Sequence, residues 1–195
     1  MECEKRDNPP HMDSAVEALL TQVEAINQDA AGLAARLRGD QFNWSPDGRR
    51  WSVGQSLEHL SITNDRYLPV FDQALESLRR QGRRVAAPPT LGWFERMFLR
   101  MLEPPVRLKV KAPASFVAPA ALDPAAALAH WTASQEAFER RIRACDGLDM
   151  KATSVKSQFG PVSFSLYGTI AILLAHQRRH IWQMREVMRE PGFPG

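Results

Sequence analysis

Residues 173–182 read "LLAHQRRHIW" and hold two of the chain's five histidines, four positions apart. On an α-helix that spacing puts both side chains on one side, one turn apart. Which side they take decides the reading of the fold. With His176 set to zero, His180 falls at about +40°, Gln183 at about −20° and Thr169 at about +20°. Leu166, Ile172, Leu173, Met184 and Val187 lie between about −40° and +80°. Arg178, Arg185 and Arg189 take the opposite face. The histidines therefore point with the apolar arc, and the segment from about Ser163 to Arg189 reads as an amphipathic helix facing a helical core. Two imidazoles buried side by side need partners. A shared metal is one; hydrogen bonds to backbone or to Gln183 are the other.

Three more long helices can be read in the rest of the chain. The first spans about Asp13 to Arg38, where Val16, Leu19, Leu20, Val23, Ile26, Ala30, Leu33 and Leu37 form one stripe. Asp13 or Ser14 caps it, and Gly39 is expected to stop it. The second opens in "WSVGQSLEHL", residues 51–60, with a Ser52/Gln55 capping box. It continues to Arg80, with Pro69 expected to kink it and Gly82 suited to C′. The third starts at Asp123 with Pro124 at N1, runs to about Cys145 and ends before Gly147. Between the second and third, residues 83–122 form a proline-rich insertion, with a short helix at about 91–102 and an extended piece at 106–111. Four one-faced helices argue for an all-α fold, a four-helix bundle, antiparallel or crossed. The long second-to-third connection permits a non-sequential arrangement. A chain of 195 residues favours one domain, here 13–190, behind a disordered tail at 1–12.

Composition narrows the partners. Hydrophobic residues are 44%, charged residues 24%, and the formal net charge is only +3, spread over the chain as Arg pairs beside acids. Nucleic-acid binders concentrate basic charge in a patch, so no nucleic-acid partner is expected. No apolar run is long enough to span a bilayer, and the first residues lack the apolar core of a signal peptide. Two cysteines, Cys3 and Cys145, form no disulfide framework. A cytoplasmic location is expected, with no membrane partner.

His59 offers a third imidazole. It sits on the second helix, about 100° from the centre of the arc formed by Val53, Leu60, Tyr67, Phe71 and Leu78. It should border the core beside Gln55, Thr63 and Arg66. Three neutral imidazoles with one open position make the catalytic rather than the structural metal pattern. Read alone, His59 is more commonly a boundary residue. His130, flanking the Ala127–Trp131–Phe138 face, reads as a boundary residue, and His11 falls in the tail.

Three features coincide: "WSVGQSLEHL", the Trp44-Ser-Pro turn before it, and "AHQRRHIWQ" on the last helix. Together they resemble the DinB/YfiT-like superfamily of metal-binding four-helix bundles, and "VKAPASFVAP" is similar to the proline-rich connection of its DinB-like branch. The resemblance implies that His59, His176 and His180 hold a divalent metal, zinc or nickel, with water completing the shell. It implies a surrounding role for Gln183. It also points to metal hydrolases, or to transferases and isomerases that use a low-molecular-weight thiol and act on a small-molecule substrate.

A metal held by three imidazoles lowers the pKa of bound water, polarises a carbonyl or holds a thiol as thiolate. The H-E-x-x-H protease arrangement is excluded, because Gln177 follows His176 and cannot abstract a proton. Glu58 points about 100° away from His59. Asp47 and Asp149 read as turn residues. This absence of a base favours thiol transfer over hydrolysis, while a non-catalytic binding bundle and a metal-free structural bundle remain alternatives. Arg66, at about −20° on the His59 wheel, is placed to meet an anionic group or a neighbouring Glu. Trp44, Trp51 and Trp182 read as packing residues. Residues 92–102, "GWFERMFLRML", read as a packing or homodimer surface rather than a membrane element. The loops 39–51 and 146–162 are expected to border the pocket.

Overall fold

The computed structural model describes residues 12–105 and 111–195. His11, Cys3, most of the expected tail and nearly all of the expected extended piece at 106–111 lie outside the described residues. Met12, assigned to the tail, packs partly buried against the core.

The described chain is mostly helical. Helix α1 spans Ser14–Ala34, α2 Gly39–Phe42, α3 Val53–Arg80, α4 Trp93–Leu102, α5 Pro124–Arg143 and α6 Leu166–Met188. A 3-10 turn covers Ala114–Phe116, and a small antiparallel hairpin pairs β1, Ser154–Lys156, with β2, Ser163–Ser165. The helix starts follow the capping chemistry. Asp13 accepts from the Ala15 amide, and Asp123 accepts from the Ala126 amide ahead of Pro124. Ser52 and Gln55 close a reciprocal capping box, at 3.0 and 3.1 Å. Gly82 and Gly147 take positive φ after α3 and α5, the conformation that lets a chain leave a helix end.

Two expectations are corrected. The first helix ends at Ala34, not Arg38, and Gly39 opens α2 instead of marking a stop. The Gln41 side chain accepts from the Arg38 amide at 2.9 Å, which starts a new turn where a loop was expected. The last helix begins at Leu166, because Ser163–Ser165 pairs as a strand with Ser154–Lys156. Pro69 lies within the continuous span of α3, on its exposed side.

The four long helices pack in a non-sequential order. α5 and α6 each lie against both α1 and α3, whereas α1 and α3 touch only slightly. The core runs through all four, with Leu19, Leu57, Leu60, Phe71, Leu78, Trp131, Phe138, Leu166 and Leu173 essentially sealed from water. One polar knot crosses it. Gln177 Nε2 donates to Asn64 Oδ1 at 3.0 Å and to Gln135 Oε1 at 3.1 Å. Asn64 Nδ2 donates to Gln135 Oε1 at 2.8 Å, and Gln135 Nε2 to Asn27 Oδ1 at 2.6 Å. One amide from each long helix thus meets in the interior, each satisfied by the others, as buried polar groups require.

Candidate metal centre

His59 comes from the second turn of α3, and His176 and His180 from successive turns of α6. The packing of α3 on α6 brings the three imidazoles together. His176 Nε2 lies 3.3 Å from His59 Nε2 and 3.1 Å from His180 Nε2. One ring nitrogen from each falls within a 4.8 Å circle. His59 and His180 are buried, and His176 is the least buried of the three by residue surface.

The arrangement is hard to satisfy with protons alone. His59 Nδ1 donates to the Phe116 carbonyl at 2.7 Å, which leaves its Nε2 a bare lone pair facing inward. A single proton on His176 Nε2 would have to serve both inward contacts at once. A cation between the rings serves all three. Two nitrogens bound at about 2.0–2.1 Å to one tetrahedral ion sit about 3.3–3.4 Å apart, and about 2.9 Å apart in an octahedral one. The observed separations of 3.1 and 3.3 Å fall in that span. The three residues could therefore hold a metal ion.

Electrostatics favour the neutral, ligating form. Burial pulls His176 and His180 well below the ordinary histidine range, and the neighbouring imidazoles and the Arg179 guanidinium push the same way. Burial also lowers His59, opposed in part by its bond to Phe116. The Nδ1 atoms of His176 and His180 are closed off from solvent without hydrogen-bond partners among the described residues. An imidazole so placed is disfavoured as a cation.

His59 was expected at the core boundary and is instead fully buried, because the 3-10 turn Ala114–Phe116 lays a strap over it. That strap is one of three groups sequence reading did not place at the site. Trp51 stacks on His180 with ring centroids 5.7 Å apart and tilts against His59 at 4.7 Å. Phe116 supplies the carbonyl and stands 6.4 Å from the His59 ring. Phe159, from the β1–β2 loop, lies 5.6 Å from His176 and 4.5 Å from Phe116. The expectation that loops 39–51 and 146–162 border the site pointed at two of these segments; no pattern in the sequence singled out the aromatic residue in each.

The other expected residues sort as follows. Thr63 donates to the His59 carbonyl at 2.7 Å. Gln55 spends its side-chain oxygen on the Ser52 amide as a cap. Gln183 is half-buried on the histidine side of α6. Among the described residues Arg66 pairs with no Glu; its guanidinium carbon lies 4.9 Å over the Phe116 ring. His130 bridges two α3 carboxylates, with Nδ1 3.0 Å from Glu58 and Nε2 2.8 Å from Asp65, so its two nitrogens face different partners. Asp47 accepts from the Arg49 and Arg50 amides and Asp149 from the Lys151 amide, which are turn roles. Cys145 is buried, and burial pushes its thiol up to about 12, so it is no nucleophile.

A bundle-like helical chain that joins one histidine of α3 to a His-x-x-x-His pair on α6 now has a family to be compared with. The family model of the DinB superfamily matches residues 22–184. The chain belongs to the DinB superfamily. The matched span runs from within α1 nearly to the end of α6 and includes all three histidines. No curated protein and no solved structure gives a significant match to it. Among the described residues, no helix is long and apolar enough to cross a membrane.

Proposed function

We propose that this DinB-superfamily chain is a metal-dependent enzyme, a single domain over 13–190 built as a DinB/YfiT-type four-helix bundle with a proline-rich connection. His59, His176 and His180 hold one divalent ion, zinc or nickel, through Nε2. The observation that carries this reading is the convergence of three Nε2 atoms, two of the separations being 3.1 and 3.3 Å, on a point where burial keeps all three rings neutral. A divalent ion there supplies Lewis acidity and lowers the pKa of a bound water or thiol.

The chain's own residues do the rest. The Phe116 carbonyl fixes the tautomer and orientation of His59. Trp51 holds the His180 ring flat, and Phe159 limits water access at the half-buried His176. No carboxylate stands within hydrogen-bond reach of the three histidines among the described residues, since Glu58 is committed to His130. A hydrolase would take a base from a loop or rely on metal-bound hydroxide alone; transfer from a low-molecular-weight thiol, bound as thiolate, needs neither. The thiol-dependent transferase is therefore favoured over the hydrolase. The substrate is a small molecule, and Arg66, flat on Phe116, is the group placed to meet an anionic end of it. Gln183, half-buried on the histidine side of α6, is the second polar group proposed to meet it. Nucleic acid is not proposed as a partner, because many of the described arginines pair with neighbouring acids along the surface.

The test is elemental analysis of tag-free protein, followed by assays of thiol consumption and of ester and amide cleavage. Near-stoichiometric metal that is lost in His176→Ala is expected. A protein that carries no metal and takes up none when it is added overturns the metal site. Full loading with no turnover of thiol, ester or amide favours instead a bundle that binds small molecules without transforming them.

A further inference from the structure

Helix α4 carries an apolar face that is exposed among the described residues. Its inner side is firmly seated. The Glu95 carboxylate is buried and accepts from the Gly92 amide at 2.7 Å, the Ser165 amide at 2.9 Å and the Ser165 hydroxyl at 2.6 Å, with Lys151 at 3.2 Å. Phe98 packs on Phe164, and Glu103 at the C-cap pairs with Arg178 of α6. So α4 is held rigidly along α6, and what it presents outward is fixed. That outward face is Trp93, Met97 and Met101 at four-residue steps, with Phe94 beside them. They are 72, 37, 45 and 42% exposed, which is far more than a satisfied packing helix leaves open. Arg96 and Arg100 run along one edge of the stripe, and a shallow groove of about 350 Å³ lies between the two rows.

The charges select the occupant. Neither Arg96 nor Arg100 has a carboxylate partner among the described residues, and the acids of this helix are turned inward or used, Glu95 at Ser165 and Glu103 at Arg178. Arg96 also donates to the Leu91 carbonyl, and the two side-chain charges bordering the stripe on α4 are both positive. A second copy of the chain fits poorly. In an antiparallel pairing of α4 with itself each edge meets its own counterpart, so arginine row faces arginine row. Four side chains on a ten-residue helix also offer well under the roughly 800 Å² per partner of a stable interface. A convex apolar stripe of Trp, Phe and Met with a cationic edge is instead complementary to the boundary between acyl chains and anionic headgroups. We propose that α4 is a peripheral docking helix for an anionic lipid surface, with Trp93, Met97 and Met101 entering the interface and Arg96 and Arg100 meeting the headgroups. This sets aside the homodimer expectation for the segment. It is independent of the histidine centre, which faces the other side of α6.

The test is flotation of the full, tag-free chain with vesicles of phosphatidylglycerol and phosphatidylcholine, against vesicles of phosphatidylcholine alone. At about 1 kcal/mol per basic residue near an anionic surface, the two arginines give roughly thirtyfold tighter binding to the anionic vesicles, falling in high salt. R96E/R100E should lose that preference, and W93A/M97A should lose binding altogether. Both variants alter exposed side chains; circular dichroism and metal content matching wild type confirm that the fold is intact. Absence of binding, or equal binding to both vesicles, overturns the proposal. So does a concentration-dependent dimer in solution that W93A/M97A abolishes, which would assign the face to a second copy.

Discussion

Replacing Gln177 by Glu would write His-Glu-x-x-His into α6 and, on sequence alone, create the metalloprotease motif. The structure predicts a destabilised protein instead. Position 177 is about 100° round the helix from His176, and its side chain is buried in the amide knot, not in the metal centre. A carboxylate oxygen in place of Nε2 would face Asn64 Oδ1 and Gln135 Oε1, both acceptors now receiving its protons at 3.0 and 3.1 Å. Flipping the Asn64 and Gln135 amides relieves those contacts only by turning the Gln135 oxygen toward Asn27 Oδ1 and toward the second carboxylate oxygen. Two hydrogen bonds are lost and a charge is buried without a partner. That costs about 3–5 kcal/mol, a large share of the 5–15 kcal/mol typical of a domain.

The pH dependence carries the sign of the effect. Burial raises the introduced carboxyl above its unfolded value of about 4.3, and 3–5 kcal/mol corresponds to a rise of roughly 2–3.5 units. The penalty is therefore complete above the raised value, shrinks as pH falls through it, and stops changing below about 4.3. Urea unfolding of Gln177→Glu and wild type at pH 8 and pH 5 measures this. The reasoning is refuted if the variant stays within about 0.5 kcal/mol of wild type at pH 8, or if the gap does not narrow at pH 5. New peptidase activity would refute the assignment of the side chain's direction.

Three further perturbations test other parts of the fold. At His130 burial lowers the pKa, but the bonds to Asp65 and Glu58 outweigh it and the net shift is upward. Its contribution, at most about 1 kcal/mol for so exposed a pair, should be complete below pH 6.5 and lost as pH rises through the raised value; His130→Gln should flatten that slope in urea unfolding. In Gly168→Ala the new methyl would sit 2.1 Å from the Glu95 carboxylate. Displacing that buried, four-bonded group should cost about 2–4 kcal/mol and expose α4 to proteolysis, and an unchanged cleavage rate would count against the seating of α4. Phe159→Ala uncovers His176, so a chelator should strip metal faster from the variant while equilibrium metal content stays near wild type; an unchanged stripping rate would show that Phe159 does not guard the site.

The long helices and their starts were legible because they rest on local chemistry: Asp13, Ser52 and Asp123 bond amides within their own first turns. The inward direction of His176 and His180 was legible from period alone. The strap at Ala114–Phe116 was not. It acts through a backbone carbonyl, which any residue carries, and what places it over His59 is a connection 57 residues away. The hairpin was missed for a related reason. Three-residue strands leave no period to read, and Ser163–Ser165 reads on sequence as the first turn of α6. Gln177 was legible only as the absence of a base. Its positive role needed Asn27, Asn64 and Gln135, three unremarkable amides on three different helices.

Those amides explain why the three-histidine cluster has the geometry it has. His176 and Gln177 are adjacent on α6, yet they look into different spaces. One faces His59, and the other reaches Asn64 and Gln135. An apolar helix face alone tolerates rotation about the helix axis, since one methyl packs much like another. Hydrogen bonds at 3.0 and 3.1 Å to two other helices do not. The knot thus fixes the azimuth of α6 one residue from the first imidazole, and through Asn64 it ties that azimuth to α3, five residues after His59. A rotation of 20° would swing an imidazole nitrogen about 6 Å from the helix axis through about 2 Å. That exceeds the tolerance of a metal–nitrogen bond by an order of magnitude. The three histidines can supply ligands, but the four amides set where those ligands meet.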